Sequence, residues 1–286
     1  MRTGTERATA GASSGIVART VAAPNEPAMI ELMLFEHDPD RALEFTDAGV
    51  TSFLVDWEHL GKDTRQQGFD TEIRLGTRDE LHAMCKVPDA TVWCRINRFG
   101  SHTRNEIDAA IDAGADGLFL PMVTESAEVA RFLWLLDGRC DAGILVETAD
   151  ALERAEELAR FPLARVYFGL NDFAISRGGG SIFRAVLDGS VQRARTAFRN
   201  TRFGFGGLTA VDSGHPVPCR RLIEELARVG CDFTFLRRSF RRDLATRRLP
   251  DVLAGIRAAW HSSLGRDPAT VARDHLDLQR ILRELA

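Results

Sequence analysis

The sequence predicts an α/β fold, a (β/α)8 TIM barrel with an extra C-terminal helix. Eight strand-length apolar runs alternate with longer amphipathic segments, an order typical of parallel βαβ units. The chain has 286 residues, slightly above the roughly 250 residues typical of this barrel. An open doubly wound sheet would need a phosphate-binding turn after a strand, and the GASSG stretch at 11–15 follows no strand. Eight strands therefore favour a closed barrel.

The predicted strands are short runs, mostly of β-branched and aromatic residues. They are Met29–Leu34, Ser52–Asp56, Thr91–Arg95, Gly117–Leu120, Ala142–Val146, Arg165–Gly169, Arg202–Gly206 and Phe233–Leu236.

The predicted helices show apolar residues at a spacing of about 3.6, and several carry an end signal just past the last apolar position, such as Gly49, Gly114, Gly138 or Gly230. They are Pro39–Ala48, Arg78–Cys85, Arg104–Ala113, Ser126–Leu136, Ala149–Arg160, Phe183–Phe198, Pro216–Val229, Asp251–Ser262 and Pro268–Leu285. One of the last two supplies the eighth barrel helix and the other is surplus. We expect residues 1–27 to form a flexible leader and residues 28–286 to form the barrel with its C-terminal helical extension.

Composition narrows the classes of function. The net charge of −4 gives no reason to expect a nucleic acid or an anionic membrane as partner. No apolar run approaches the roughly 20 residues needed to span a bilayer. The five cysteines are dispersed, without a CxxC pair, which is typical of reduced thiols in a cytoplasmic protein.

Reactive side chains lie at or just after the C-terminal ends of four predicted strands, where barrel enzymes carry their active sites. The set comprises Asp56, His59, Arg95, Glu147 and Asp172. Pro121, Met122 and Asn171 lie on the same rim, and we assign them to substrate binding. Random placement would scatter such residues over both ends of the barrel, so the set as a whole predicts a catalytic rim.

Glu147 and Asp172 form a candidate metal pair on neighbouring strands five and six. Two carboxylates with open positions suit a hard divalent cation such as Mg2+ or Mn2+, and we expect Mg2+, Mn2+ or Co2+ here. A 2-oxo acid would complete the ligand set, and the cation would polarise its keto group. The alternative is that Glu147 caps the helix starting at Ala149 and that Asp172 caps a short helix of its own.

The remaining rim residues bear on the mechanism. The guanidinium of Arg95 suits a substrate carboxylate or a developing enolate oxygen, although it could instead tie the rim carboxylates together. The chain contains two lysines, Lys62 and Lys86, and neither lies on a predicted strand. A Schiff-base aldolase needs a lysine that points into the barrel, so that mechanism is disfavoured.

Five motifs give the chain its resemblance to a known family. With them the chain resembles the class II pyruvate aldolases of the HpcH/HpaI (4-hydroxy-2-oxoheptanedioate aldolase) family and, more distantly, the citrate lyase β-subunit group. The similarity runs from about Ile30 to about Gly178. The motifs are FLVDWEH (Phe53–His59), VWCRIN (Val92–Asn97), DAGADGLFLPMV (Asp112–Val123), ILVETADAL (Ile144–Leu152) and VYFGLNDFAISRG (Val166–Gly178).

The resemblance implies a role for each matched residue. It implies that Glu147 and Asp172 bind the metal and that Arg95 contacts the pyruvyl oxygen. It implies a His59–Asp112 pair as acid and base on the C4 hydroxyl. Asp56 would hold metal-bound water or orient the site. It also implies a homo-oligomer, usually a hexamer built from dimers that exchange their last barrel helix.

Three functional readings follow. The first is a metal-dependent aldolase that cleaves or forms a 4-hydroxy-2-oxo acid, with pyruvate as the nucleophile and an aldehyde as the acceptor. The second is a CoA-ester lyase of the citryl or malyl type with the same metal site, and the presence of His59 favours the aldolase over it. The third is a barrel retained as a non-catalytic subunit, which the full set of site residues argues against.

Two parts of the chain leave the identity of the acceptor substrate undetermined. The insertion-like run Leu60–Ile73 and the loops after strands seven and eight do not match the aldolases. In many barrels the loops after strands seven and eight bind phosphate or carboxylate. The alternative is that the basic residues there form a solvated or subunit-facing patch. Six arginines follow strand eight, namely Arg237, Arg238, Arg241, Arg242, Arg247 and Arg248.

Overall fold

The strands form a closed parallel barrel in sequence order, β1 to β8, as predicted. The structure is a computed structural model that describes residues 29–60 and 76–285. The predicted leader and nearly all of the insertion-like run lie outside these residues. The strands are β1 Glu31–Phe35, β2 Ser52–Asp56, β3 Thr91–Arg95, β4 Gly117–Leu120, β5 Asp141–Val146, β6 Arg165–Phe168, β7 Arg202–Phe205 and β8 Phe233–Phe235.

Thirteen helices lie in the described part of the chain and surround the barrel. They are α1 Pro39–Asp47, α2 Arg78–Met84, α3 Thr103–Ala113, α4 Ser126–Leu136, α5 Ala149–Glu153, α6 Ala155–Leu158, α7 Leu170–Ser176, α8 Arg184–Leu187, α9 Ser190–Ala197, α10 Cys219–Val229, α11 Arg238–Asp243, α12 Leu249–Leu264 and α13 Pro268–Glu284.

Two predicted helices are each divided, and two short helices were not predicted. The predicted helix 149–160 breaks at Arg154, and the predicted helix 183–198 breaks at Gly189, whose φ of +82° is left-handed and ends the helical path. α7 and α11 directly follow β6 and β8 and are seven and six residues long, too short for an amphipathic period to be recognised. Both become important at the site.

The barrel interior is filled with large apolar side chains that alternate along the strands with residues facing the helices. Trp93 and Phe119 pack with ring centroids 4.6 Å apart. Gly117 and Gly143 give them room, because a Cβ at either position would lie within 3 Å of these rings. The buried members of this interior cluster are Met33, Leu54, Trp93, Phe119, Leu145, Phe233 and Phe235.

Gly204 of β7 gives the first testable prediction. A Cβ at Gly204 would lie 2.3 Å from the backbone oxygen of Phe233, so alanine there forces β7 and β8 apart. We expect Gly204→Ala to lower the free energy of unfolding by at least about 2 kcal/mol in urea denaturation. Gly255→Ala is the matched control, because its Cβ would meet only Val211 at 3.8 Å on an exposed helix face, and it should leave stability unchanged or slightly raised. Equal effects would contradict this packing.

The surplus C-terminal helix packs on its own chain. α12 lies against α10 as the last barrel helix, and α13 lies against α10 and α8. Arg266, between α12 and α13, forms an ion pair of 2.9 Å with Asp274 of α13. His275 of α13 lies 3.0 Å from the buried Glu225 of α10. None of the described helices has both the length and the apolar character that a membrane crossing requires.

Candidate metal and substrate site

The barrel's strand alternation determines which polar side chains enter its C-terminal mouth. Residues two positions beyond an interior residue of a strand face the same side. Asp56, Arg95 and Glu147 each stand two positions after the interior residues Leu54, Trp93 and Leu145. Asp56 and Arg95 are also direct partners in the β2–β3 register. The three charged side chains therefore form one layer above the apolar interior, as the rim prediction requires.

Glu147 is held by the backbone around it. Its side chain is buried, and its Oε1 accepts a hydrogen bond of 2.9 Å from the backbone N–H of Met122. Met122 has a φ of +53°, an uncommon left-handed conformation for a residue other than glycine, and this turns its N–H toward the carboxylate. The backbone thus fixes one carboxylate oxygen of Glu147.

Asp172 meets Glu147 from α7. This helix begins directly after β6, with Gly169 as its N-cap residue, and Asp172 lies buried in its first turn. Burial, followed by the charges of Asp172 and Glu58, raises the pKa of Glu147 to about 8. Two carboxylates this close oppose each other's ionisation, and a cation or a shared proton relieves the repulsion.

The pair fits a divalent cation better than helix capping. The N-cap of α5 is Thr148, whose side chain accepts a hydrogen bond from Ala151, so Glu147 does not cap that helix. In residues 29–60 and 76–285 no group of three or more His, Cys, Asp or Glu side chains is arranged to hold a metal. A cation held by Glu147 and Asp172 would therefore take its other ligands from water and substrate, as Mg2+ commonly does.

Gly169 allows the close approach of Glu147 and gives a second prediction. A Cβ at Gly169 would lie 2.7 Å from Oε2 and 3.0 Å from Cβ of Glu147. Gly169→Ala should displace the carboxylate and weaken Mg2+ binding about tenfold or more, since an oxygen ligand must hold its geometry closely. Isothermal titration with Mg2+ measures this effect. Unchanged affinity in a folded variant would mean that Glu147 is not held where a cation needs it.

Arg95 is clamped by two carboxylates. Its Nε and Nη2 donate to the two oxygens of Asp56 at 2.9 and 2.7 Å, and its Nη1 lies 3.2 Å from Glu58. Burial acts to lower the pKa of Arg95, but the charges of Asp56 and Glu58 outweigh it and raise that pKa. The guanidinium also lies 5.3 Å from the centroid of the Phe35 ring. Arg95 therefore ties the rim carboxylates together, which was the alternative role. It also lines the cavity, and its contact with a substrate stays a prediction.

His59 lies on the rim but in a different environment. It is exposed, and its Nδ1 lies 2.9 Å from the backbone oxygen of Trp57. The buried side chain of Asn97 accepts hydrogen bonds from the backbone N–H groups of His59 and Leu60 at 2.9 and 2.8 Å. Asn97 in turn donates to Glu106 at 2.6 Å. Asn97 therefore anchors the start of the segment that leaves β2.

The expected pairing of His59 with Asp112 is not formed within this chain. Asp112 lies near the C-terminal end of α3, is exposed, and lies 3.6 Å from Arg78. A helix that follows a barrel strand runs back to the N-terminal rim, so its end lies opposite the mouth where His59 stands. Among the described residues neither His59 nor Asp112 lines the cavity.

A cavity of about 570 Å3 opens at this mouth, within the size range of small-molecule sites. Its lining includes Asp56, Arg95, Glu147, Asn171 and Asp172, so five predicted site residues meet in one place. Pro121 and Met122, predicted to bind substrate, do not line it, and Met122 acts instead through its backbone on Glu147.

Several functional candidates were missed from the sequence. Glu58 is buried against Arg95, and its place beside Asp56 and His59 in one charged stretch was the available signal. Tyr167 and His37 line the cavity without any sequence pattern that marks them. The hydroxyl of Tyr167 donates to the backbone oxygen of Gly206, which ties β6 to the end of β7.

Known proteins resemble this chain in fold. No protein-family model matches it, and no curated protein sequence does. Among solved structures, an HpcH/HpaI aldolase from Desulfitobacterium hafniense aligns with a TM-score of 0.56 at 17% identity, over 77% of this chain and 90% of that one. CitE from Mycobacterium tuberculosis, in complex with magnesium and pyruvate, aligns with a TM-score of 0.58 at 19% identity, over 87% and 98%.

A second CitE structure from Mycobacterium tuberculosis, in complex with magnesium, acetoacetate and coenzyme A, aligns with a TM-score of 0.53 at 18% identity, over 88% of each chain. At sequence identities this low, the structural alignments establish a shared fold and nothing more. The chain is thus a (β/α)8 barrel of the architecture found in these lyase and aldolase structures, with a buried carboxylate pair at its mouth.

Proposed function

We propose that the chain is a divalent-cation-dependent carbon–carbon lyase that acts on a 2-oxo acid. The observation that carries the proposal is the buried Glu147–Asp172 pair, which shares one cavity with the clamped guanidinium of Arg95. Solved structures with the same fold include one in complex with magnesium and pyruvate, which supports the ligand chemistry. The proposal includes the metal ion, which is Mg2+, Mn2+ or Co2+, and the acceptor, which is an aldehyde if the chain is an aldolase.

Each site residue has a defined part in this chemistry. A divalent cation at the pair would polarise the keto oxygen of the 2-oxo acid and stabilise the charge that develops as the carbon–carbon bond breaks. Arg95 presents a fixed positive charge to the substrate carboxylate or to the same developing charge. Asp56 and Glu58 hold that guanidinium in place, so it need not reorganise during the reaction.

The aldolase reading is tested by proton exchange. Pyruvate in D2O should lose its methyl protons in the presence of the protein and Mg2+, Mn2+ or Co2+, as followed by proton NMR, because removal of a C3 proton forms the nucleophile of the aldol reaction. A chelator should stop the exchange. An absence of exchange with all three ions, in protein shown to bind them, would contradict the aldolase reading.

A CoA-ester lyase is the second candidate, and one observation favours it. The aldolase reading drew weight from His59 as part of an acid–base pair, and within this chain His59 neither meets Asp112 nor lines the described cavity. A solved neighbour with coenzyme A bound has the same fold.

The His59→Ala variant separates the two candidates. An aldolase that uses this side chain should lose about 100-fold or more in turnover, the size of a typical acid–base contribution, with Mg2+ affinity retained. A CoA-ester lyase should instead cleave a citryl or malyl thioester with saturation kinetics, and His59→Ala should leave its rate within about twofold, since no proton transfer in it depends on His59.

A further inference from the structure

The wall of the cavity formed after β8 is strongly basic. Arg237, Arg238, Arg241 and Arg242 all line the cavity, together with Arg95 on the carboxylate side. Within the described part of the chain three carboxylates line the cavity, namely Asp56, Glu147 and Asp172. Arg95 and Arg241 pair with the buried Glu58 and Glu36, so the positive charge offered to a ligand comes mainly from the rest of this wall, and a bound divalent cation would increase it. Such a cavity favours a substrate with more than one negative group.

Arg237 and Arg241 pack against the barrel mouth, whereas Arg238 and Arg242 are exposed at its edge. Arg241 donates to the backbone oxygen of Phe35 at 2.6 Å, at the end of β1, and lies 3.2 Å from the buried Glu36. The side chain of Arg237 lies against Gly207, where a Cβ would come within 2.7 Å of its Cγ.

The basic wall and the Glu147–Asp172 pair line the same cavity of about 570 Å3. Tyr167 also lines it, and its hydroxyl donates to the backbone oxygen of Gly206. A single small molecule in this cavity can therefore contact both the wall and the pair.

Three groups on this wall, Arg237, Arg242 and the hydroxyl of Ser239, could donate hydrogen bonds to a ligand. In residues 29–60 and 76–285 no ion pair or side-chain hydrogen bond is assigned to Arg237 or Arg242. The hydroxyl of Ser239 is buried at the cavity lining and has no partner within those residues. A buried hydroxyl without a partner is costly unless a ligand satisfies it.

We propose that this wall, defined by Arg237, Ser239, Arg241 and Arg242, binds the phosphoryl group of a phosphorylated acceptor. A single guanidinium satisfies a carboxylate, whereas a phosphate monoester carries close to two charges and three acceptor oxygens, which suits several guanidiniums and a hydroxyl. Loops after strands seven and eight are a frequent phosphate site in barrels. The inference rests on the proposed function, because the acceptor's reacting carbon must lie beside a 2-oxo acid at Glu147 and Asp172.

Inorganic phosphate tests the site without any metal or turnover. Isothermal titration at fixed ionic strength, with chelator present, should show one phosphate per chain. The double variant Arg237→Gln/Arg242→Gln should weaken binding at least about tenfold, since charge-assisted hydrogen bonds are lost. Ser239→Ala, which removes a single hydroxyl, should weaken it about threefold to tenfold. Arg248→Gln is the control for loss of positive charge: it removes one arginine outside the cavity lining and should change affinity less than about twofold.

Three outcomes would overturn the proposal: no saturable phosphate binding by the wild-type chain, equal weakening by Arg248→Gln, or tighter binding of acetate or succinate than of phosphate. Coenzyme A tests the other source of a phosphoryl group. Binding of coenzyme A that exceeds that of glycerol 3-phosphate would assign the wall to a thioester substrate and reject a small phosphorylated acceptor. Pyruvate exchange is independent of all these titrations. Phosphate binding without exchange would reject the aldolase hypothesis and leave the phosphate site in place, and exchange without phosphate binding would reject only this inference.

Discussion

Replacing Glu147 by glutamine should remove both cation binding and catalysis while leaving the chain folded. The change keeps the size of the side chain and can keep an acceptor for the Met122 N–H, but it removes the charge that faces Asp172. We expect the rate of metal-dependent pyruvate exchange to fall at least about 1000-fold, equivalent to about 4 kcal/mol of transition-state stabilisation.

The same variant should lose stabilisation by Mg2+. A cation present at about 100 times its dissociation constant adds about 2.7 kcal/mol to the stability of a protein that binds it only when folded. Wild-type chain should show this increase in urea denaturation, and Glu147→Gln should not. The control is Asp150→Asn, an exposed carboxylate three positions away that lies 3.7 Å from Arg154 and should behave as wild type. A Mg2+ effect of equal size in Glu147→Gln would place the cation elsewhere.

Replacing Arg95 by methionine should be the most destabilising change at the site. The guanidinium neutralises two buried carboxylates, Asp56 and Glu58, and removal of one member of such a group typically costs about 3–5 kcal/mol. Urea denaturation of Arg95→Met measures the loss.

Two further variants control for this result. Arg154→Met breaks an exposed ion pair with Asp150 and should cost less than about 1 kcal/mol. The triple variant Asp56→Asn/Glu58→Gln/Arg95→Met removes the two uncompensated charges as well and should recover part of the loss. If Arg95→Met were as mild as Arg154→Met, the clamp would not carry the stability ascribed to it.

The barrel itself was predictable because its signals are local. Each strand is a short apolar run, and four predicted glycine helix ends, Gly49, Gly114, Gly138 and Gly230, all adopt the positive φ that glycine permits. The surplus C-terminal helix was also predicted correctly. The short helices α7 and α11 were not, since fewer than two turns give no clear apolar period.

The candidate site was predictable where strand geometry determines it. Asp56, Arg95 and Glu147 follow interior residues at a spacing of two, so their convergence follows from alternation along neighbouring strands. Asp172 could be placed only on the rim, because its exact position depends on where α7 begins. Glu58 lies two positions after Asp56 but beyond the end of β2, where strand alternation no longer determines direction, so its burial against Arg95 results from tertiary packing.

His59 and Asp112 show the limit of motif-based assignment. Both residues lie in motifs that carry the resemblance, yet the topology separates them within one chain, since the C-terminal end of α3 faces away from the mouth. The basic wall shows the opposite limit. Its arginines formed a visible cluster in the sequence, but that they line the same cavity as Glu147 required the three-dimensional structure.

The most direct test of the account is a crystal structure of the chain grown with Mn2+ and pyruvate, with anomalous data collected at the manganese edge. We expect one anomalous peak per chain, from a manganese ion bonded to a carboxylate oxygen of Glu147 and one of Asp172, with the pyruvate carboxylate and keto oxygens among its remaining ligands. An ion bound elsewhere in the barrel, or pyruvate bound in the mouth with no ion at this pair, would contradict it.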